Sequence, residues 1–227
     1  MKNNKIHPTA IVGSDVMLGS NNEIGPYTII SGKTIIGNNN VIGSHVILGC
    51  DPTDTKFIAR DESARLLIGN NNIIREFSLV ELPCYEESTI IGNDAFLMQG
   101  VHVSHDVHVK DKAVITNTSV IAGLVKILDG ANIAMACTIN QYTVIGHYSI
   151  AATNAAVMKN IKPFSKYIPN KPLSVNKYAL SKFGFNHLEE EISDYVLHDI
   201  PVKNCDLKRI TDEFDYWVLK YGHETYK

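Results

Sequence analysis

Residues 121–151 read IAGLVKILDGANIAMACTINQYTVIGHYSIA. An apolar residue returns at every sixth position: Ile121, Ile127, Ile133, Ile139, Ile145 and Ala151. A period of six is neither the 3.6 of a helix nor the 2 of a simple strand. It fits short flat strands joined by turns, with three strands closing one triangular coil. The aliphatic residue then points into the prism and stacks on its counterpart one coil away. Backbones of adjacent coils would pair at about 4.8 Å.

The same beat extends outward in both directions. Upstream it runs through Ile91, Leu97, Val103, Val109 and Ile115, and downstream it reaches Val157. An earlier run carries Ile6, Val12, Leu18, Ile24, Ile30, Ile36, Ile42 and Leu48, and a short one carries Ile68, Ile74 and Val80. The position four after each aliphatic is usually small or β-branched, as at Ala95, Val107, Ala113, Ser119, Ala131, Cys137, Thr143 and Ser149. Glycine often follows the aliphatic, as at Gly13, Gly19, Gly25, Gly37, Gly43 and Gly49, where a turn tolerates unusual φ. The expected fold is mainly β, a left-handed parallel β-helix of hexapeptide repeats over residues 1–162. Residues 163–227 are expected to form a linker and a small C-terminal α-helical domain. Pro163, Pro169 and Pro172 punctuate the linker, and helical patterns follow over Val175–Phe183, Leu188–Leu197 and Leu207–Leu219. Gly184 reads as a helix stop, and Asp206 and Thr211 as caps or first-turn residues. The tail should pack on the open end of the prism and shield its last coil from edge pairing.

Bulk properties narrow the function. The 227 residues carry a net charge of −3, which argues against a polyanion partner or a general nucleic-acid surface. No apolar run approaches the roughly 18 residues of a membrane span. Met1-Lys2-Asn3-Asn4-Lys5 does not read as a secretory signal. Cys50, Cys84, Cys137 and Cys205 show neither CxxC spacing nor a disulfide framework, which suits a reducing cytoplasm.

Two segments break the beat, residues 50–66 and 82–89; loops ejected from a rigid coil often carry function. Positions eighteen apart share one column, so His105, Gly123 and Gln141 line up on the outer surface. A histidine near neutral pH can take a proton from a hydroxyl or amine. A backbone N–H at a glycine can stabilise an oxyanion. Asp106 either sets the imidazole tautomer or is a solvated turn acid, and His102 either lines the site or caps a turn. His108 should point from the next face. His7, His45 and His147 read as isolated residues that are structural or solvated, and Trp217 as helix packing. Three histidines on different faces argue against a zinc site, so no metal is expected.

These residues carry a resemblance. The chain resembles the UDP-N-acetylglucosamine O-acyltransferase family of lipid A synthesis. The likeness lies in Ile6-His7-Pro8-Thr9-Ala10, Ile24-Gly25-Pro26-Tyr27, Asp54-Thr55-Lys56-Phe57, Ile74-Arg75-Glu76, Val103-Ser104-His105-Asp106, Ile121-Ala122-Gly123 and Lys182-Phe183-Gly184-Phe185. The resemblance implies a cytoplasmic homotrimer with clefts between prisms. It implies His105 as general base, Asp106 assisting, and Gly123 as the oxyanion donor. It implies Asp54 and Lys56, from a neighbouring subunit's loop, on the sugar and phosphates. Gln141 would lie near the sugar, and Asn176 and Lys182 near the nucleotide or the donor. No bound cofactor is implied; an acyl carrier protein thioester or an acyl-CoA is the co-substrate, and a nucleotide sugar the acceptor. The sequence departs from the family at Leu124 and Asn140, where histidines are usual, at Tyr178, where an acid is usual, and at Glu81-Leu82-Pro83, where a His-Arg-Gly stretch is usual. Two alternatives stay open: N-acylation of a dTDP- or UDP-linked deoxyamino sugar from acetyl-CoA, and a non-catalytic β-helix scaffold.

Overall fold

The computed structural model describes residues 3–54 and 63–227. The sextets build a left-handed parallel β-helix with three faces. Among the described residues, face one holds ten strands and begins with Lys5–Ile6; face two holds eight and begins with Ile11–Val12; face three holds seven and begins with Met17–Leu18. Each strand pairs in parallel with the one a full coil later, as Lys5 with Glu23 and Ile6 with Ile24.

The coil-to-coil step is 18 residues. It lengthens to 32 across the first interruption and to 23 across the second. In-register stacking survives both, since Ile42 still faces Ile74 and Ile74 faces Leu97. The aliphatic column is dry: Ile30, Leu48, Ile74, Val80, Leu97, Val103, Ile115 and Ile133 are all fully buried. The first coil is the exception. Ile6 is 36% exposed, with no described coil beneath it. The small positions beside the column, Ala95, Ala113, Ser119, Ala131 and Cys137, are buried as well, where larger side chains would overfill the corners.

The left-handed residue of many corners is the third after the aliphatic, as at Asn21 (φ 59°), Asn39 (φ 58°) and Asn71 (φ 58°), and of the glycines that directly follow an aliphatic, Gly49 (φ 76°) is left-handed too. Gly37 is needed for space instead, since a Cβ there would lie 2.6 Å from the Gly69 carbonyl oxygen and the Asn70 Oδ1. The asparagines form a buried ladder. Asn40 Nδ2 donates to Asn22 Oδ1 and to the Gly69 carbonyl, both at 3.0 Å, and the Asn72 N–H donates to Asn40 Oδ1 at 2.9 Å.

Face one continues past residue 162. Ser165–Tyr167 pairs in parallel with Ile150–Ala151, and Ser174–Val175 pairs antiparallel with it. Three helices follow: α1 (Lys177–Phe183), α2 (Glu189–His198) and α3 (Cys205–Tyr221). Gly184 stops α1 in the left-handed conformation (φ 82°), as its position suggested. The cap of α3 is Asn204, whose side chain accepts from the Asp206 and Leu207 N–H groups; Asp206 falls in the first turn, as its position suggested, and Thr211 farther along the helix. The tail does more than close the open end. Its last residues pair with the final coil at Asn160, while α3 lies along face three, where Phe214 packs on Leu128 and Val144 with Trp217 beside them.

Replacing Asn40 with Ala strips two donors and one acceptor from a ladder with no access to water. The expected loss is about 1–3 kcal/mol of unfolding free energy, read from denaturant midpoints, with parallel-sheet circular dichroism retained.

Candidate active site

One corner of the prism gathers a histidine, an aspartate and several polar groups around a cleft. The His105–Asp106 turn joins His102–Val103 on face two to His108–Val109 on face three. Both interruptions leave from the same corner, one after Ile47–Cys50 and one after Leu79–Glu81. They therefore stack directly behind His105, one and two coils before it. A cleft of about 340 Å³ opens there, lined by Thr53, Asp54, Ser104, His105, Ala122, Gly123 and Gln141.

His105 is only 4% exposed. Its Nδ1 donates to Asp106 Oδ2 at 2.8 Å, and its backbone N–H donates to Glu81 Oε2 at 3.0 Å. With Nδ1 carrying the proton, the neutral ring presents the Nε2 lone pair. Asp106 is fully buried and sits in the left-handed region (φ 61°). Its carboxylate accepts three consecutive backbone N–H groups from the second loop, Cys84 at 3.0 Å, Tyr85 at 3.0 Å and Glu86 at 2.9 Å. Asp106 is thus no solvated turn acid; it is clamped against the imidazole. That hydrogen bond raises the His105 pKa above the ordinary 6.5, burial opposes the rise, and the charges of Asp106, Glu81 and Asp54 add to it. Because the folded value lies above the unfolded one, the pair stabilises the fold below about pH 6.5, and this contribution is lost as pH rises through the raised value.

Gly123 lies against the imidazole. A Cβ at this position would meet His105 Cε1 at 2.4 Å and Nε2 at 2.6 Å, so only glycine lets the ring settle. The flanking amides belong to the ladder, Ala122 N–H donating to the Ile139 carbonyl and Leu124 N–H to the His105 carbonyl. Among the described residues, the Gly123 N–H has no such acceptor.

The remaining expected residues divide. Gln141 and Asp54 line the cleft. Asp54 shares this cleft with the His105 of its own chain and accepts from the Tyr85 hydroxyl at 2.6 Å. Lys56 lies outside the described residues. His102 donates through Nε2 to Glu81 Oε1 at 3.0 Å, which orients the carboxylate that holds the His105 backbone. Asn176 is not brought to the cleft. It caps α1 and donates to the Tyr148 carbonyl at 2.8 Å, so both ends of its amide are used structurally. Lys182 is exposed on α1 beside the Phe183 and Tyr178 rings, also away from the cleft lining. His45 is stacked between Tyr27 and Phe77, with ring centroids 5.0 and 5.2 Å away. His147 is buried rather than isolated; with Asp129 and Glu213 it offers three ligand atoms within 4.8 Å of one another, and Lys110 already pairs with Glu213 at 2.8 Å. Sequence reading missed Glu81, Tyr85, Glu86 and Lys126. Glu81, Tyr85 and Glu86 lie one coil before the His105 corner once the second interruption is subtracted from the register, and Lys126 lies one coil beyond His108.

The fold and this corner define a hexapeptide-repeat β-helix with a histidine–aspartate pair seated on a glycine. Residues 15–50 match the family described as bacterial transferase hexapeptide (six repeats). The chain is similar to the acyl-[acyl-carrier-protein]–UDP-N-acetylglucosamine O-acyltransferases of Herminiimonas arsenicoxydans and Burkholderia thailandensis, at 31% and 35% identity over 143 residues. That match covers 61% of this chain, and it spans 54%, about half, of each relative's length. A solved UDP-N-acetylglucosamine acyltransferase of Bacteroides fragilis superposes with a TM-score of 0.70 at 27% identity, covering 93% of this chain and 89% of that one. The one from Campylobacter jejuni shares the fold at a TM-score of 0.79 and 21% identity, covering 98% and 100%.

Asp106→Asn should lower the His105 pKa, because the neutral amide removes both the ion pair and the best acceptor. Peptide-resolved carbethoxylation of His105 across pH reads this directly. The wild-type midpoint is expected above about 6.5 and the variant's below the wild type's. Gly123→Ala should displace the ring and raise the labelling rate of this nearly buried histidine without unfolding the coil.

Proposed function

We propose that the chain is an acyltransferase that moves an acyl group from an acyl carrier protein thioester to a hydroxyl of UDP-N-acetylglucosamine. The observation that carries this reading is the Asp106–His105–Gly123 stack, with Nδ1 tied to the carboxylate and Nε2 turned to the cleft. Nε2 takes the proton of the sugar hydroxyl as its oxygen attacks the thioester carbonyl. The C–O bond forms, the carbonyl becomes an oxyanion, and the Gly123 N–H donates to it. Collapse breaks the C–S bond, and the proton on His105 passes to the departing thiolate. Asp106 stabilises the imidazolium between these steps. Asp54 and Gln141 offer polar contacts to the acceptor, and Lys56, on the same loop, is proposed for the phosphates. Asn176 and Lys182 remain proposed contacts to nucleotide or donor, reached outside this chain's own cleft.

A homotrimer in the cytoplasm, with no bound cofactor or metal, suits this reading. Among the described residues no helix is long and apolar enough to cross a membrane. A second reading, N-acylation of another nucleotide-linked amino sugar from a CoA thioester, is favoured by one feature. Leu124, 6% exposed and next to Gly123, puts an apolar side chain where the resemblance implies a histidine. The scaffold reading gains nothing from a histidine held by so many directed bonds.

A product screen by mass spectrometry tests the proposal. It offers 3-hydroxyacyl carrier protein, acetyl-CoA and longer acyl-CoAs against UDP-N-acetylglucosamine and a panel of UDP- and dTDP-amino sugars. An ester on UDP-N-acetylglucosamine that disappears in His105→Ala is the expected outcome. An amide product on another sugar selects the second reading, and no product with any pair removes the enzyme reading.

A further inference from the structure

Behind the His105–Asp106 turn lies a lysine that the acyl-transfer chemistry does not use. Lys126 sits one coil beyond His108 on face three, at a strand position that points outward. It is nonetheless fully buried, because α3 covers it. Its Nζ donates to Glu86 Oε2 at 2.7 Å and to the Asp106 backbone carbonyl at 2.9 Å, and it lies 5.0 Å from the centre of the Trp217 ring. Glu86 is the other half of the device. Its N–H belongs to the three that clamp the Asp106 carboxylate. Its Oε1 accepts from Lys220 Nζ and from the Tyr221 hydroxyl of α3, both at 3.1 Å, while His108 approaches Oε2 at 3.4 Å.

We propose that Lys126 is a positioning residue for the His105–Asp106 pair, locking the clamp loop and the tail helix α3 to the back of the turn that carries it. The inference rests on reading the His105 cleft as the acyl-transfer site. Three observations converge on it. Lys126 bridges both chain segments that shape Asp106, the turn itself and the loop 84–86. Glu86 ties the same loop to α3 through two separate donors. Lys126 does not line the cleft, so its influence must pass through Asp106.

A buried ammonium is costly unless well paired. Here burial pulls the lysine pKa down to about 8 and Glu86 opposes the fall, while the facing Lys220 lowers it further and Asp106 raises it. A charge kept at such cost, with the cation over Trp217 and Tyr221 rings, is hard to explain as packing, since a methionine would fill the same space without desolvating an ion.

Lys126→Met and Lys126→Arg separate positioning from bulk. In Lys126→Met, kcat is expected to fall about tenfold or more with the acceptor KM within about twofold, because the pair moves while the cleft does not. Lys126→Arg keeps a cation that reaches both acceptors and should recover part of kcat. The decisive readout is the His105 titration by peptide-resolved carbethoxylation in the intact protein. Losing the clamp weakens the Asp106 hydrogen bond and moves the His105 pKa down toward the ordinary histidine value. Simple removal of a nearby cation would move it up. A downward shift supports the proposal, and an upward or absent shift overturns it. Should Lys126→Met fail to fold, the double variant Lys220→Met/Tyr221→Phe frees Glu86 from α3 at the surface. It should give a smaller shift in the same direction, and no shift there overturns the proposal. Wild-type protein without acyl transfer would sink the functional reading alone, since the His105 titration still judges Lys126.

Discussion

The whole molecule depends on one geometric constraint: each residue lies above its counterpart in the previous coil, with parallel backbone hydrogen bonds joining them. Ile11 N–H reaches the Thr28 carbonyl, Gly25 N–H the Ile42 carbonyl, and Gly37 N–H the Ile68 carbonyl across the long interruption. Once that alignment is set, side-chain identity at one position decides what is possible one coil away. The dry aliphatic column, the asparagine ladder and the glycines that admit a neighbouring backbone all follow from it. So does the seat of His105, whose ring occupies the space where a Gly123 Cβ would stand. Stiffness of this origin holds a catalytic geometry to within the roughly half-ångström that chemistry requires.

On this frame, the site is assembled at the corner where the chain breaks its own rhythm. The two interruptions emerge at successive levels behind His105 and return functional groups to it. The second supplies the three amides on Asp106, and the first brings Thr53 and Asp54 to the cleft wall. The coil provides the imidazole and the glycine, and the loops provide its charge environment. Glu81 serves both, gripping the His105 backbone with one oxygen and His102 with the other.

The architecture was legible in the sequence because its signal repeats. Each sextet restates the same burial requirement, so one irregular position such as Ala151 cannot hide the pattern. The His105–Gly123–Gln141 column was legible for the same reason, by counting coils. Contacts made across the interruptions were not. Nothing in the local pattern says that Cys84, Tyr85 and Glu86 aim their amides at Asp106, or that Lys126, on an outward strand position, is covered by Trp217 from the tail. The same applies to His147, which read as isolated because Glu213, its nearest acid, belongs to α3. Nor does the local pattern say that the Asn176 amide caps α1 and donates to the Tyr148 carbonyl.

The in-register stack makes the chain's tolerance of change directional. Adding or removing residues at the His105 corner leaves every later aliphatic in the prism, as steps of 32 and 23 residues already demonstrate. A single deletion inside a strand would turn all following sextets inside out, exposing isoleucines and burying the polar positions between them. Length change is therefore channelled to the corner that carries His105, and the register of every later coil is insulated from it.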